Sequence, residues 1–407
     1  MFAYNGGPGS SSVWLHMGVL GPKRADLKDL EPNTRGPYRT VENESSLLDV
    51  ADLVVLDPVG TGFSKAVGSG EGNDFWGVDQ DITSVANFIV QYLSRFGRWG
   101  SPKFILGESY GWMRTGGLSL KLLQSHNVAL NGIILVAPYL DFASGVAGYH
   151  MDNPHVNFLP SYAATAWYHG MVTNRPGQLR DILKEAEEFA QAVYAPVLFK
   201  GHRASSAERR IVLDGLRRFT GLSAEYWERA NLRIDEGRFL QELLRHKGTV
   251  VGRIDTRYTG PLLGSLAETV RYDPFETTVC TAIVACFNDY YRRELNVGLE
   301  RDYVPMADLW KNWDELHQLP DIPDYKVPIA NTSVDLSHAL CMNPRMMVLI
   351  HQGFFDLSVP YRSVEYVLDH MDLSPDLRAN IQVEYYHAGH MMYIHEPSRR
   401  KFKKSAL

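Results

Sequence analysis

Three short stretches of this sequence carry residue types that can do nucleophilic chemistry together. In Gly107-Glu108-Ser109-Tyr110-Gly111 a serine stands between glycines two residues before and two after it. That spacing suits a sharp turn with strained backbone dihedrals, which small neighbours let the chain enter and leave without clashes. The apolar run Lys103–Leu106 precedes it and a helix around Leu118–Leu123 follows, so it reads as a strand-to-helix junction. The helix N-terminus places partial positive charge where an oxyanion would develop. The pentapeptide alone arises often by chance, and a plain glycine-rich turn is the competing reading.

A nucleophilic serine needs an imidazole to take its proton and a carboxylate to hold that ring. After the run Met346–His351 comes Gly353-Phe354-Phe355-Asp356, and after Ile381–Tyr386 comes Ala388-Gly389-His390-Met391. One helix, around Pro360–His370, separates them. Asp356 and His390 are therefore expected on successive strand-end loops, on the same side of the sheet as Ser109, where open α/β sheets bind ligands. Asp141 also follows a strand and ranks second as the acid, while Asp369 and Asp372 suit surface roles. His387, His390 and His395 raise a metal-site alternative. Gly389 breaks the helix that ligand spacing would need and no acidic cluster joins them, so no metal is expected and His387 and His395 read as structural. Trp112, Met113 and Thr115 are expected to pack beneath the turn. Arg114 reads either as reaching the site or as an ordinary surface or supporting arginine.

The elements that must position these groups are short apolar runs bounded by Gly, Pro or Asp: Phe2–Tyr4, Leu53–Asp57, Lys103–Leu106, Gly132–Ala137, Met346–His351 and Ile381–Tyr386. Between the second and third, Ile82, Val85, Phe88, Ile89, Tyr92 and Leu93 recur at helical spacing, with Gly97 as the stop. Strands alternating with helices predict an α/β fold, a mostly parallel sheet covered on both faces. From Phe142 to Val327 no comparable strand runs occur, and helical stretches such as Pro176–Val193 and Ala207–Phe219 take over. The expected organisation is a core segment over 1–141, a mostly helical cap insertion over 142–327, and a second core segment over 328–407.

Composition narrows the class. With 45% hydrophobic and 22% charged residues among 407, the chain can bury a large core. A net charge of -6, with scattered cations, gives no footprint for nucleic acid. The terminal run Arg399, Arg400, Lys401, Lys403, Lys404 reads as a solvated tail. Cys280, Cys286 and Cys341 are too few for a disulfide scaffold and read as small packed residues. No run reaches the ~18 apolar residues that would span a bilayer, and no secretory signal is visible. Phe2–Tyr4 is short for a strand, so upstream strands are expected to be missing, and an upstream extension is expected to improve solubility.

With these residues placed, the sequence resembles the serine carboxypeptidase family, of the α/β-hydrolase fold. The resemblance rests on Asn5-Gly6-Gly7-Pro8-Gly9-Ser10-Ser11-Ser12, Asp57-Pro58-Val59-Gly60-Thr61-Gly62-Phe63-Ser64, the Ser109 pentapeptide, the Gly353–Pro360 loop and Gly389-His390-Met391. It implies Ser109, Asp356 and His390 as the triad, backbone N–H groups of Gly7 and Tyr110 as the oxyanion hole, and Asn5, Gly6 and Glu108 as binders of the substrate's terminal carboxylate. It also implies peptide substrates with a free C-terminus, no cofactor, and a secreted or periplasmic setting. The Asp57–Ser64 turn would shape the pocket. Two departures stand out: Val19 occupies the position before Leu20-Gly21-Pro22 where the family commonly has a glutamate paired with the one preceding the nucleophile, and Ser10 replaces a usual cysteine. Two other readings are an esterase or acyltransferase on the same triad and an inactive, truncated binding protein. The oligomeric state is not specified.

Overall fold

A computed structural model describes all residues except 32–34, 140, 146–150, 299 and 323. Six strands form the central sheet: β1 (Phe2–Tyr4), β2 (Val54–Val55), β3 (Phe104–Glu108), β4 (Gly132–Val136), β5 (Met347–Gly353) and β6 (Ile381–Tyr386). All neighbours pair parallel, in the order β6-β5-β4-β3-β1-β2. The apolar runs thus form strands close to their expected bounds, except that Leu53–Asp57 contributes only two strand residues. Although short, β1 lies inside the sheet, pairing with β2 on one side and β3 on the other.

Strands covered on both faces can be apolar throughout rather than alternating, and β4 is buried along its whole length. Ile133 and Leu135 of β4 enter one core with α1 (Val78–Arg95) and α2 (Gly111–His126). Ile134 and Val136 enter another on the opposite face, with Val13, Leu15 and Phe287. α2 ends at Asn127, whose left-handed conformation (φ 54) stops the helix.

The stretch between β4 and β5 is mainly helical, with α3 (Asn153–Tyr168), α4 (Leu179–Phe189) and α5 (Ser206–Thr220) around their own apolar core. A side chain–backbone capping box between Ser205 and Glu208 starts α5. The stretch also holds two short strand pairs, Thr249–Val251 with Thr259–Pro261 and His317–Gln318 with Lys326–Val327. Each pair is too short to show as an apolar run. The helical core also includes Phe354, Phe355 and Leu357 from the loop after β5, so the insertion packs directly on that loop.

After β6 the chain ends in α6 (Glu396–Ala406). The basic terminal run is therefore helical, and Arg400, Lys401 and Lys403 pair with Glu396, Glu384 and Asp49. The three cysteines are free thiols. Among the described residues no helix is long and apolar enough to cross a membrane.

Candidate active site

The chain leaves β1 and β3 side by side, and the loops at their C-terminal ends meet. Connections from these neighbouring strands run to opposite sides, the arrangement that opens a crevice at a sheet's C-terminal edge. Ser109 caps β3 in the left-handed region (φ 58), costly for a residue with a Cβ. Its N–H donates to the Val136 carbonyl at 2.9 Å, and its carbonyl accepts from Trp112 and Tyr139, so both flanks of the turn are fixed.

The glycine loop after β1 lies directly on this turn. A Cβ at Gly6 would fall 2.4 Å from the Tyr110 nitrogen and 2.6 Å from the Glu108 carbonyl oxygen, so only glycine permits the approach. Gly7, with φ +106, turns the chain back. Among the described residues the backbone N–H groups of Gly7 and Tyr110 donate to no carbonyl or side chain, and both residues line the cavity that holds Ser109. Behind the loop, Asp57 accepts from the Ser12 N–H at 2.8 Å and the Tyr303 hydroxyl at 3.1 Å, so the second glycine-rich turn braces the first.

Asp356 is fully buried in the loop after β5. One carboxylate oxygen accepts from the N–H groups of Ser358 (2.8 Å) and Val359 (2.9 Å). The other meets Nδ1 of His390 at 2.7 Å. That leaves Nε2 of His390 for the cavity, which His390 and Ser109 share. Burial disfavours the imidazolium, but the Asp356 carboxylate outweighs it and holds the His390 pKa above its ordinary value.

The His390 loop is held by the insertion. The His390 N–H donates to the Ile254 carbonyl at 2.7 Å, and the Gly389 N–H to Asp255 at 2.9 Å. Asp255 and Asp29 clamp the guanidinium of Arg257 from two sides. This buried brace is not visible in the sequence, where Asp255 and Arg257 look like ordinary charged residues of a helical region.

Glu108 is buried next to Ser109. Its Oε2 accepts from Asn5 Nδ2 at 2.9 Å and from the Tyr393 hydroxyl at 2.9 Å. Burial raises its pKa to about 7 despite the opposing pull of His390 and of these two donors. Asn5 is fixed in turn: its Oδ1 accepts from the Leu15 N–H, and its carbonyl accepts from Arg114 Nη1 at 2.8 Å. Arg114 is thus neither at the surface nor in the cavity lining; it is buried in an ion pair with Asp81 at 2.7 Å.

Other candidates fall elsewhere. Asp141 accepts from the Ala143 N–H and pairs by backbone with Asn331, without touching His390. His387 is exposed, and His395 Nδ1 meets Ser398 Oγ at 2.7 Å. Among the described residues no three His, Cys, Asp or Glu side chains gather as metal ligands. The cavity measures about 1100 Å³, and Tyr139, Phe158, Met306 and Trp310 give it apolar walls.

Comparison with known proteins identifies the family and the fold. A family model described as serine carboxypeptidase matches residues 3–396. The pheromone-processing carboxypeptidase KEX1 of Yarrowia lipolytica is 30% identical over 144 residues, which is 35% of this chain and 22% of that protein. The matched stretch therefore spans about a fifth of that relative. The crystal structure of a prohormone-processing carboxypeptidase, Kex1(delta)p from Saccharomyces cerevisiae, superposes with a TM-score of 0.55 at 15% identity, covering 100% of this chain and 82% of that one. At that identity the likeness concerns the fold.

Proposed function

This chain belongs to the serine carboxypeptidase family, and on that premise we propose that it releases the C-terminal residue of peptides through an acyl-enzyme. Ser109 Oγ attacks the last peptide carbonyl as His390 Nε2 takes its proton. The Gly7 and Tyr110 N–H groups receive the oxyanion. His390 then protonates the departing amine, and the C-terminal amino acid leaves. Water, deprotonated by His390, attacks the acyl carbon and restores Ser109. Asp356 holds the ring and stabilises the imidazolium without taking a proton.

One observation carries this reading beyond family membership. The cavity that Ser109 and His390 share also receives Asn5 and Glu108, and Glu108 is buried enough to hold a proton near neutrality. Two carboxylates repel, but a protonated carboxyl donates a hydrogen bond to a carboxylate. Asn5 donates one amide hydrogen to Glu108, and its amide carries a second donor at the cavity. Asn5, Gly6 and Glu108 thus form the clamp for a free C-terminus, with Gly6 admitting the loop to the nucleophile's turn.

The test is a matched pair of peptides, identical except for a free acid or an amide at the C-terminus, digested and read by mass spectrometry. Release of single residues from the acid, with the amide much slower, is expected. Equal cleavage of both would favour the esterase or acyltransferase reading. Absence of labelling by a fluorophosphonate probe would favour the inactive one.

A further inference from the structure

Tyr393 lies three residues beyond His390 and is fully buried. Its hydroxyl donates to Glu108, at 2.9 Å to Oε2 and 3.2 Å to Oε1. The ring edge rests on Gly18, the residue before Val19: a Cβ on Gly18 would lie 2.3 Å from Tyr393 Cε2. The backbone is anchored as well, since Arg399 Nη1 donates to the Tyr393 carbonyl at 3.1 Å. We propose that Tyr393 is a positioning residue for substrate binding, its phenol serving as the second partner of Glu108 and aiming Glu108 Oε1 at the substrate's terminal carboxylate. This rests on the carboxypeptidase reading above.

The chemistry follows from the donors. Oε2 of Glu108 receives two good hydrogen bonds, from Asn5 and Tyr393. Oε1 receives only the longer one, so it is the oxygen left to carry the proton and donate it to an anion. A second carboxyl in place of the phenol would serve only while the pair kept a proton between them. A phenol donates from acid through neutral pH without that condition, and burial holds Tyr393 well above the ordinary phenol pKa. Because Tyr393 and His390 share one short buried segment, the clamp and the base are placed by the same stretch of chain.

The experiment compares the parent, Tyr393→Phe, Glu108→Ala and the double variant on the matched free-acid and amide peptides. Tyr393→Phe keeps the ring and removes the donor. It should lower the acid-over-amide preference in kcat/KM about tenfold, chiefly through KM for the acid, as expected for loss of one hydrogen bond to a charged or acidic group. In the Glu108→Ala background the same change should add little, because Tyr393 acts through the Glu108 side chain. Gly18→Ala, which displaces the ring but keeps the phenol, should lower the preference in the same direction. An unchanged preference in Tyr393→Phe or in Gly18→Ala overturns the assignment, as does an equal loss with and without Glu108. If the parent itself has no preference for the acid, the carboxypeptidase reading fails, and the role of Tyr393 fails with it. A parent preference that survives Tyr393→Phe defeats the role of Tyr393 alone.

Discussion

Replacing Glu108 by glutamine should remove a pH dependence that the structure builds into substrate binding. Glu108 has an ordinary pKa of 4.5 and is raised to about 7 by burial. The groups acting on it are His390 and Tyr393 from the loop after β6, Asn5 from the glycine loop, Asp356 behind His390, and Cys280 from the insertion. If only the protonated carboxyl receives the substrate's carboxylate, KM scales with the reciprocal of its protonated fraction. Between about pH 5.5 and pH 8 that fraction falls roughly tenfold for a pKa near 7, so KM for a free-acid peptide should rise about tenfold. Glu108→Gln keeps a donor that needs no proton, so its KM should be flat over the same range. A second sign follows from His390, which the ionised Glu108 helps to hold protonated. Without that charge the acid limb of kcat/KM, which reports the free enzyme, should move to lower pH. The assay is steady-state hydrolysis of one free-acid peptide at constant ionic strength, with kcat and KM resolved at each pH. A parent KM that does not change over this range, or a glutamine variant with the parent's slope, refutes the argument.

Stability should carry the same signature. The folded pKa of Glu108 lies above its unfolded value, so the native state holds the extra proton between about 4.5 and 7. Its contribution is present at low pH and is lost as pH rises through that window, by up to about 3 kcal/mol; chemical denaturation of parent and Glu108→Gln at both ends of the window measures it. Ser109→Ala and His390→Ala should each abolish turnover and fluorophosphonate labelling, because they act as one unit, while Asp356→Asn should retain more; full activity in Asp356→Ala would move the acid elsewhere. Gly6→Ala should cut kcat at least a hundredfold while leaving the fold, since its Cβ meets the Tyr110 nitrogen and must push the glycine loop off the oxyanion site; near-parental kcat with a normal circular dichroism spectrum would count against it. Asp255→Ala should cost about 2–4 kcal/mol in denaturant unfolding, because Arg257 keeps Asp29 but loses its nearer buried partner, and kcat should fall with it as the His390 loop loosens.

What the sequence determined by itself is local or ordered along the chain. Apolar runs ending in Gly, Pro or Asp became β1 to β6 because a strand buried on both faces needs little more than such a run. The turn at Ser109 was legible because its strain demands small residues at fixed spacing. Asp356 and His390 were legible because each immediately follows a strand, and parallel strands bring their C-terminal ends to one edge of the sheet. Tertiary structure decided what surrounds them. Tyr393 reaches Glu108 across 285 positions and Asp255 reaches Gly389 across 134, with no spacing in the sequence to mark either pair. Arg114 was ambiguous as a residue type, and only its place between Asp81 and the Asn5 carbonyl made it a buried support. The proton affinity of Glu108 was likewise undetermined until its burial was known. A carboxyl's pKa follows from how much water is removed and which donors replace it, and both are set by chain segments that meet only in the folded molecule.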